Sequence, residues 1–265
     1  MLSVCATPIG NLDDVTLRVL EELRSADVVL AEDTRHTRGL LERHGIRATL
    51  LSYHEHNEAA RVAELVPRLA AGERIALVTD AGMPLVSDPG ARLVRAALDA
   101  GVPVTVLPGP SAVETALVAS GLGGGRYAFV GFLPRKRGEL EALWRETAGW
   151  GCVLVAFESP QRLPASLRSL AAFDGAREAA VCRELTKKFE EVARGTAAEL
   201  AERFAEPPKG EITLVVGAGA ASLDVAGALA AVEELVAAGT PRRAAADVVA
   251  RLSGTARNTL YRGTL

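Results

Sequence analysis

Aromatic and cysteine side chains are scarce in this sequence. Phe, Trp and Tyr together make up 4% of the 265 residues, so we expect a core built mainly from Ala, Val and Leu. The three cysteines, Cys5, Cys152 and Cys182, lie far apart and form no Cys-x-x-Cys pair. This spacing argues against a disulfide framework and against a zinc knuckle.

Long apolar runs and an overall positive charge are also missing. No stretch approaches the roughly 18 uninterrupted apolar residues of a membrane-spanning helix, and no charged leader precedes an apolar run. We therefore expect a cytoplasmic protein with no membrane partner. The formal net charge of −3 excludes a chain that is basic throughout, but a local basic face is enough to bind nucleic acid.

Nucleotide-binding signatures and metal-ligand spacings are weak or absent. There is no G-x-x-x-x-G-K-[ST] motif, which argues against a P-loop nucleotidase. Gly217 and Gly219 begin a possible dinucleotide fingerprint that ends at Ser222 and lacks its third glycine. His54 and His56 stand two residues apart without a third ligand at a suitable spacing, so we expect no metal and interpret them as part of a polar loop near the substrate.

The first half of the chain alternates short β-prone runs with helical patterns. Apolar residues recur at three- and four-residue spacing over 17–24, 57–71 and 91–98, which predicts helices. This alternation predicts an α/β domain with a mostly parallel sheet. The predicted strands of this domain are 2–7, 27–32, 74–79 and 102–107.

A glycine-rich and then basic stretch, 120–138, interrupts this pattern and marks a domain boundary. Fewer helices separate the strands predicted beyond it, which favours a mixed or antiparallel sheet; these strands are 152–157, 178–183, 190–195 and 211–216. From Ser222 onward the pattern is helical. We divide the chain into an N-terminal domain, a second α/β domain and a helical C-terminal segment, with bounds 1–119, 120–220 and 221–265.

Three loops that follow predicted strands have unusual backbone chemistry: 7–12, 79–90 and 107–112. Each contains glycine and proline, and the second also contains two aspartates. Loops beyond the carboxyl ends of strands form the ligand crevice of an open α/β sheet, so three of them predict a site at one edge. Pro110 is expected to open a helix at its first position, with Ser111 in the first turn.

Seven segments of the chain together resemble one known family. They are 6–41, TDAGMPLVSDPG (79–90), LPGPSA (107–112), YAFVGFLPRKR (127–137), FESPQRL (157–163), ELTKKFEEVARG (184–195) and KGEITLVV (209–216). In order and spacing they are similar to the bacterial ribosomal RNA small-subunit methyltransferase I family, which are cytidine 2′-O-methyltransferases on the tetrapyrrole-methylase fold. Ala6, Met83 and Gln161 depart from the family pattern of Gly, Thr and His. The change at Met83 removes a hydroxyl that would contact the cofactor.

The resemblance implies S-adenosylmethionine in a cleft between two α/β domains, a homodimer, and a cytidine in the decoding region of small-subunit RNA as substrate, in the assembled subunit. Gly10 and Gly82 are expected to let loop backbone approach the cofactor, and Asp80 to offset its sulfonium charge. The expected cofactor contacts are Pro8, Gly10, Asp80, Gly82, Met83, Ser87, Asp88, Pro110, Ser111, Ala112, Phe157 and Glu158.

The segment AEDTRHTR (31–38) is the candidate acceptor side of the site, although Asp33 or Thr34 could equally cap a helix there. Alternating strand geometry would turn only one of Glu32 and Asp33 toward the cleft. We favour Asp33 as general base, with Lys187 neutralising developing charge. Phosphate contacts are expected from Arg35, His36, Arg38, Arg135, Lys136 and Arg137.

Two other functions remain open at this point. A tetrapyrrole C-methyltransferase would use the same fold, and a non-catalytic RNA-binding adaptor would bind cofactor without turnover. The basic residues suit a polyphosphate chain better than a porphyrinogen, which favours RNA. The stretch 240–265, with five arginines and one aspartate, is either an RNA-holding module or a dimer or packing element.

Overall fold

The N-terminal domain of the computed structural model is built on a parallel sheet of five short strands. These are β1 (Leu2–Cys5), β2 (Val28–Ala31), β3 (Leu50–Ser52), β4 (Ile75–Leu77) and β5 (Val104–Leu107). Their order is β3-β2-β4-β1-β5, and every neighbouring pair is parallel. All residues of β1, β2 and β4 are buried, which explains the uninterrupted apolar sequences of β2 and β4; β1 contains one polar residue, Ser3.

Helices cover both faces of this sheet. They are α1 (Leu17–Ser25), α2 (Thr34–Arg43), α3 (Glu58–Ala70) and α4 (Ala91–Asp99), with a short 3-10 turn at Leu12–Asp14; a fifth helix, α5 (Ala112–Ser120), follows β5. One apolar core contains Leu23 of α1 and Leu40 of α2, and the other contains Leu65 of α3 and Leu93 of α4. The four predicted strands and three predicted helices are confirmed within a few residues; β3 was not predicted, and α2 was one of two open interpretations of 31–38.

The second domain has a mixed five-stranded sheet, as predicted. Its strands are β6 (Tyr127–Phe132), β7 (Val153–Glu158), β8 (Glu178–Arg183), β9 (Glu191–Thr196) and β10 (Ile212–Val216). The order is β6-β7-β10-β8-β9, with β6 parallel to β7 and the remaining pairs antiparallel. Strand β6, which lies in the stretch assigned to the boundary, was missed.

Three helices cover one face of the mixed sheet: α6 (Arg137–Ala148), α7 (Leu163–Phe173) and α8 (Ala197–Arg203). Trp144 of α6 and Leu167 of α7 are fully buried in the core beneath them. Helix α5 supplies the cover on the opposite face, although it precedes this domain in sequence. Its Val113 and Ala116 pack against β7, β8 and β10 together with Ile9 of the first domain, so the two domains share this apolar cluster.

The C-terminal segment forms a small helical unit with its own core. Its helices are α9 (Val225–Ala237), α10 (Arg242–Ser253) and α11 (Arg257–Gly263). Val232, Ala245 and Leu260 are fully buried among them. Arg257 is paired with Asp247, so the one aspartate of 240–265 neutralises one of its arginines.

The structure describes residues 1–219, 225–253 and 255–265. The possible dinucleotide fingerprint lies partly outside these ranges, at residues 220–222. For its described glycines the structure gives a packing reason, because a Cβ on Gly217 would lie 3.1 Å from Glu178 O and one on Gly219 would lie 2.5 Å from Ala148 O. No helix in the described ranges is long and apolar enough to cross a membrane.

Candidate active site between the two domains

A cavity of about 470 Å³ lies between the two domains. The 79–90 loop and the start of α5 line it from the first domain, and the end of β7 and residues 210–213 line it from the second. Its volume is within the range of small-molecule sites. All three loops predicted to form a crevice contribute to the lining, with Ile9 from 7–12, Asp80 from 79–90 and Ser111 from 107–112, so they meet at one edge of the parallel sheet.

The 79–90 loop is fixed to the first loop by a pair of backbone hydrogen bonds. The Thr7 N–H donates to Gly82 O at 2.8 Å and the Gly82 N–H donates to Thr7 O at 3.1 Å. Thr7 Oγ1 also donates to the carbonyl of Thr79 at 3.0 Å. Gly82 has φ +81°, and Leu85 and Ser87 adopt φ +73° and +70° despite their Cβ atoms. Backbone held in this sparsely populated region is a frequent feature of binding loops.

One wall of the cavity carries three carboxylates, Glu32, Asp80 and Asp88. Burial raises the pKa of Asp88 to about 6, although a hydrogen bond from Thr79 opposes the shift; the charges of Glu32 and Asp80 raise it further. Partial burial and the charge of Asp80 also raise the pKa of Glu32. The wall therefore favours a cationic ligand, whose charge would relieve this repulsion.

The opposite part of the cavity is apolar. Phe157 contacts Phe129 and Phe132 edge to face, with ring centroids 4.9 and 5.5 Å apart. Ile9 and Val113 add aliphatic surface beside Phe132 and Phe157. Such a surface suits a flat, weakly polar ring.

Comparison with known proteins identifies the family. The Tetrapyrrole (Corrin/Porphyrin) Methylases match residues 1–201. The chain belongs to the tetrapyrrole methylase family. Ribosomal RNA small subunit methyltransferase I of Mesorhizobium japonicum is 46% identical to this methylase over 271 residues, covering 100% of this chain and 91% of that protein. The protein of the same name from Thermotoga maritima is 44% identical, covering 81% of this chain and 97% of its own length.

Solved structures agree on the fold. The methyltransferase CobJ matches this methylase with a TM-score of 0.63 at 20% identity, covering 83% of this chain and 94% of CobJ. Diphthine synthase matches with a TM-score of 0.60 at 19% identity, covering 82% of this chain and 89% of its own. The tetrapyrrole-methylase fold expected from the sequence is confirmed, and the relatives place this methylase among the small-subunit rRNA methyltransferase I proteins.

Most residues expected to contact the cofactor line the cavity of this methylase. They are Asp80, Gly82, Met83, Ser87, Asp88, Ser111, Ala112, Phe157 and Glu158. Pro8, Gly10 and Pro110 are outside the lining. Ser111 caps α5 and is not in its first turn, so the expected position of Pro110 at the start of the helix was wrong.

Gly10 has a different reason to be glycine from the one expected. A Cβ there would lie 2.5 Å from Lys187 Cγ, 2.7 Å from Thr186 Oγ1 and 2.9 Å from Leu185 O. The neighbouring Asn11 N–H donates to Thr186 Oγ1 at 3.0 Å. Gly10 is therefore required by the contact between the first loop and the β8–β9 loop.

The structure also reverses the expected orientations of Glu32 and Asp33. Strand β2 ends at Ala31, and Asp33 caps α2 by accepting the Arg35 N–H at 2.8 Å. Its other oxygen accepts from Arg35 Nη2 at 2.8 Å. These hydrogen bonds from Arg35 hold the pKa of Asp33 well below its usual range. Glu32 lines the cavity and Asp33 does not.

Glu158 is committed to protein contacts. Its side chain is fully buried and accepts hydrogen bonds from the Ser159 N–H at 2.7 Å, Arg162 Nη2 at 3.2 Å and the Ser166 hydroxyl. The carboxylate thus holds the turn between β7 and α7, which forms part of the cavity wall.

The predicted phosphate-binding residues lie on exposed surface outside the cavity; they are Arg35, His36, Arg38, Arg135, Lys136 and Arg137. Sequence reasoning missed a second set of cavity residues, which are Ile9, Ala81, Val86, Val113, Phe132, Ser159, Pro160, Cys182, Leu185, Gly210, Glu211, Ile212 and Thr213. For residues 210–213 of this set, Gly210 was the only local sequence signal. Across the described ranges, no group of three or more His, Cys, Asp or Glu could hold a metal ion.

Replacing Gly82 by alanine tests the role of the 79–90 loop. The added Cβ would be 3.5 Å from Ile9 Cγ2, an ordinary contact, so the cost comes from φ +81° and not from a clash. We expect a loss of about 1–2 kcal/mol in the free energy of unfolding, and about tenfold weaker binding of S-adenosylmethionine, measured by urea denaturation and calorimetry.

Gly72→Ala is the matched control, because Gly72 has φ +98° and open space around its Cβ position, in a turn after α3. This variant should lose a similar free energy of unfolding and keep wild-type affinity for S-adenosylmethionine. If both variants bind S-adenosylmethionine with wild-type affinity, the 79–90 loop is not part of the cofactor site.

Proposed function

We propose that this methylase transfers a methyl group from S-adenosylmethionine to the 2′-hydroxyl of a cytidine in the decoding region of small-subunit ribosomal RNA. The observation that carries the proposal is the interdomain cavity with its carboxylate wall, in a chain whose relatives bear the name ribosomal RNA small subunit methyltransferase I. A ribosomal RNA substrate in the assembled subunit would place the enzyme in the cytoplasm.

The residues of the cavity fit this cofactor. Glu32, Asp80 and Asp88 would offset the positive charge of a sulfonium, and Phe157 and Val113 would contact an adenine ring. The bound cofactor supplies an electrophilic methyl group. The chain's own task is then to hold the acceptor oxygen in line with that methyl, to exclude water, and to remove the hydroxyl proton.

Glu32 is the better candidate for the general base. It lines the cavity, and burial and the charge of Asp80 raise its pKa, although the Thr79 hydroxyl at 3.3 Å and nearby His54 act in the opposite direction. A carboxylate with a raised pKa is a stronger base than Asp33, whose pKa is lowered and whose oxygens accept from Arg35.

Lys187 does not line the cavity, but its partner Glu211 does, and we assign Lys187 the role of a cation beside the site. Its Nζ donates to Glu184 Oε1 at 3.0 Å and to Glu211 Oε2 at 2.9 Å. Burial lowers the pKa of Lys187, but the hydrogen bonds to Glu211 and Glu184 outweigh it and raise the pKa. The amine stays protonated at neutral pH, so it can neutralise developing charge but is a poor base.

The surface charge favours RNA over a tetrapyrrole. Arg35, Lys136 and Arg137 are exposed, and their partners are neighbouring carboxylates. Exposed ion pairs contribute only about 0–1 kcal/mol, so phosphate groups could replace these carboxylates. A tetrapyrrole C-methyltransferase, the alternative suggested by the fold, has no need for such a surface. A non-catalytic RNA-binding adaptor has no need for a carboxylate of raised pKa such as Glu32.

Homodimer formation is part of the proposal. Strands β5 and β6 each lie at one edge of their sheet, and large apolar side chains are exposed on them and on α5. Val106 is 54% exposed, Val118 80% and Phe132 59%. Exposed large apolar side chains are a common feature of subunit interfaces.

Transfer of labelled methyl groups tests the activity. Wild-type enzyme incubated with tritiated S-adenosylmethionine and small ribosomal subunits should label the RNA, and nuclease digestion should recover the label on a ribose 2′-oxygen of a cytidine. Label appearing only in a porphyrinogen would replace this function with the tetrapyrrole alternative. Cofactor binding with no label in either substrate would support the adaptor.

Glu32→Gln and Asp33→Asn separate the two candidate bases. Glu32→Gln should lower the single-turnover rate about a hundredfold and abolish the rise of the rate with pH through the raised pKa of Glu32. Asp33→Asn retains a good helix cap and should stay within a few-fold of wild type. The opposite pattern would return the role to Asp33, and inactivity of Lys187→Ala alone would place the chemistry on the second domain.

Val118→Glu tests the dimer. Sedimentation velocity should show a dimer for wild type and a monomer for this variant, because a charge would be buried without a partner. Leu17→Glu is the control, since Leu17 is 84% exposed on α1, which is not one of the elements assigned to the interface. A monomeric wild type would reject the proposed assembly.

A further inference from the structure

A second concavity, of about 630 Å³, lies between α6 and α7 on the second domain. We call it the α6–α7 groove. Its lining includes Leu140 of α6 and Phe173 of α7. It also includes five arginines, which are Arg135, Arg137, Arg145, Arg162 and Arg168.

The groove has a large excess of positive charge. Glu141 is the single carboxylate among its described lining residues, and it contacts Arg137 Nε at 2.7 Å and Arg145 Nη2 at 3.8 Å. Within the ranges that the structure describes, the side chains of Arg135 and Arg168 have no hydrogen-bond or ion-pair partner. An anion is therefore the expected ligand of this groove.

Arg162 gives the groove a fixed wall. Its Nη2 donates to Leu133 O at 2.6 Å, to Pro134 O at 2.9 Å and to Glu158 Oε2 at 3.2 Å. Because Glu158 is buried and also holds the turn after β7, the arginine is held in place. The outer arginines are exposed, Arg137 by 90% and Arg145 by 64%, and are free to reorient toward a ligand.

The groove also offers an aromatic surface. Phe173, at the end of α7, is 40% exposed, and Leu140 lies at the floor. Arginines beside an exposed aromatic ring form the combination that binds single-stranded nucleic acid, because phosphates take the charge and bases stack on the ring. An acidic peptide would use the arginines but gain little from the ring.

The groove and the cofactor cavity share a wall. Phe132 lines the cavity, and Pro134, two residues further, lines the groove. Two residues of extended chain span about 7 Å. Glu158 lines the cavity, and its partner Arg162 lines the groove. A strand that delivers a ribose to the cavity can therefore pass directly into the groove.

We propose that the α6–α7 groove binds the RNA strand flanking the methylated nucleotide, with phosphates held by Arg145 and Arg168 and a base stacked on Phe173. The inference rests on the proposed function for the identity of the RNA, and it adds a binding surface beyond Arg135, Lys136 and Arg137. Its occupant is single-stranded RNA next to the target.

Fluorescence anisotropy with a labelled single-stranded RNA of mixed sequence, over a range of salt concentrations, tests the groove. The double variant Arg145→Gln/Arg168→Gln should bind about tenfold or more weakly, and the slope of log affinity against log salt should become shallower by about 0.7 for each phosphate that the variant no longer neutralises. Phe173→Leu should weaken binding at least about fivefold with an unchanged slope. Glu141→Gln should bind RNA more tightly than wild type, because it removes the competing carboxylate.

Arg24→Gln/Arg95→Gln is the matched control, since it removes the same charge from helices α1 and α4, where both arginines pair with carboxylates on their own helix. It should keep the wild-type slope. Equal RNA affinity and an equal salt slope in the two double variants would reject the groove as an RNA site. A groove variant that binds RNA normally but no longer binds polyglutamate would also reject it, because the groove would then bind an acidic peptide.

This binding assay requires no turnover, so its result is independent of the methyl-transfer experiment. Wild-type methylation of RNA combined with normal binding by the groove variants would reject the groove alone. Failure of methyl transfer with groove-dependent RNA binding would reject the proposed activity and leave the groove in place.

Discussion

The apolar contact between α5 and the mixed sheet is the constraint on which the site depends. Val113 and Ala116 of this helix, with Ile9 from the first loop, pack on Val155 and Val215 of the second domain. The cavity exists because this packing holds the carboxyl edge of one sheet beside the strands of the other. Burial of each large side chain in this contact contributes about 1.5–3 kcal/mol. The contact is made by α5, a helix that both domains need.

Local chemistry made part of the site predictable. The glycines and prolines of 79–90 pointed to a loop with special backbone, and that loop lines the cavity with Gly82 at positive φ. The reason for Gly10 was not accessible, because Thr186 and Lys187, which crowd its Cβ position, are far away in sequence. Likewise, α5 covers the second sheet through a contact between the two domains, and no local sequence pattern predicts that contact.

Glu32 and Asp33 show where the alternation of side chains along a strand no longer predicts their direction. Alternation of side chains holds only while the backbone stays in the strand, and β2 ends at Ala31. From there the start of α2 decides the direction of Asp33, whose carboxylate accepts an N–H at the first turn. Helix capping was among the open interpretations of this segment, and the backbone geometry favours it. The cavity and the groove, in turn, separate negative from positive charge on either side of the Glu158–Arg162 pair.

The carboxylate wall has a consequence for what happens after the methyl group has left. A sulfonium carries a positive charge, but the thioether that remains is neutral. Glu32, Asp80 and Asp88 would gain an electrostatic partner from the first and none from the second; burial is the main cause of the raised pKa of Asp88, and the charges of Glu32 and Asp80 add to it. Under the proposed function, the three side chains that would attract the cofactor would therefore hold its by-product less strongly, which would favour exchange of one for the other.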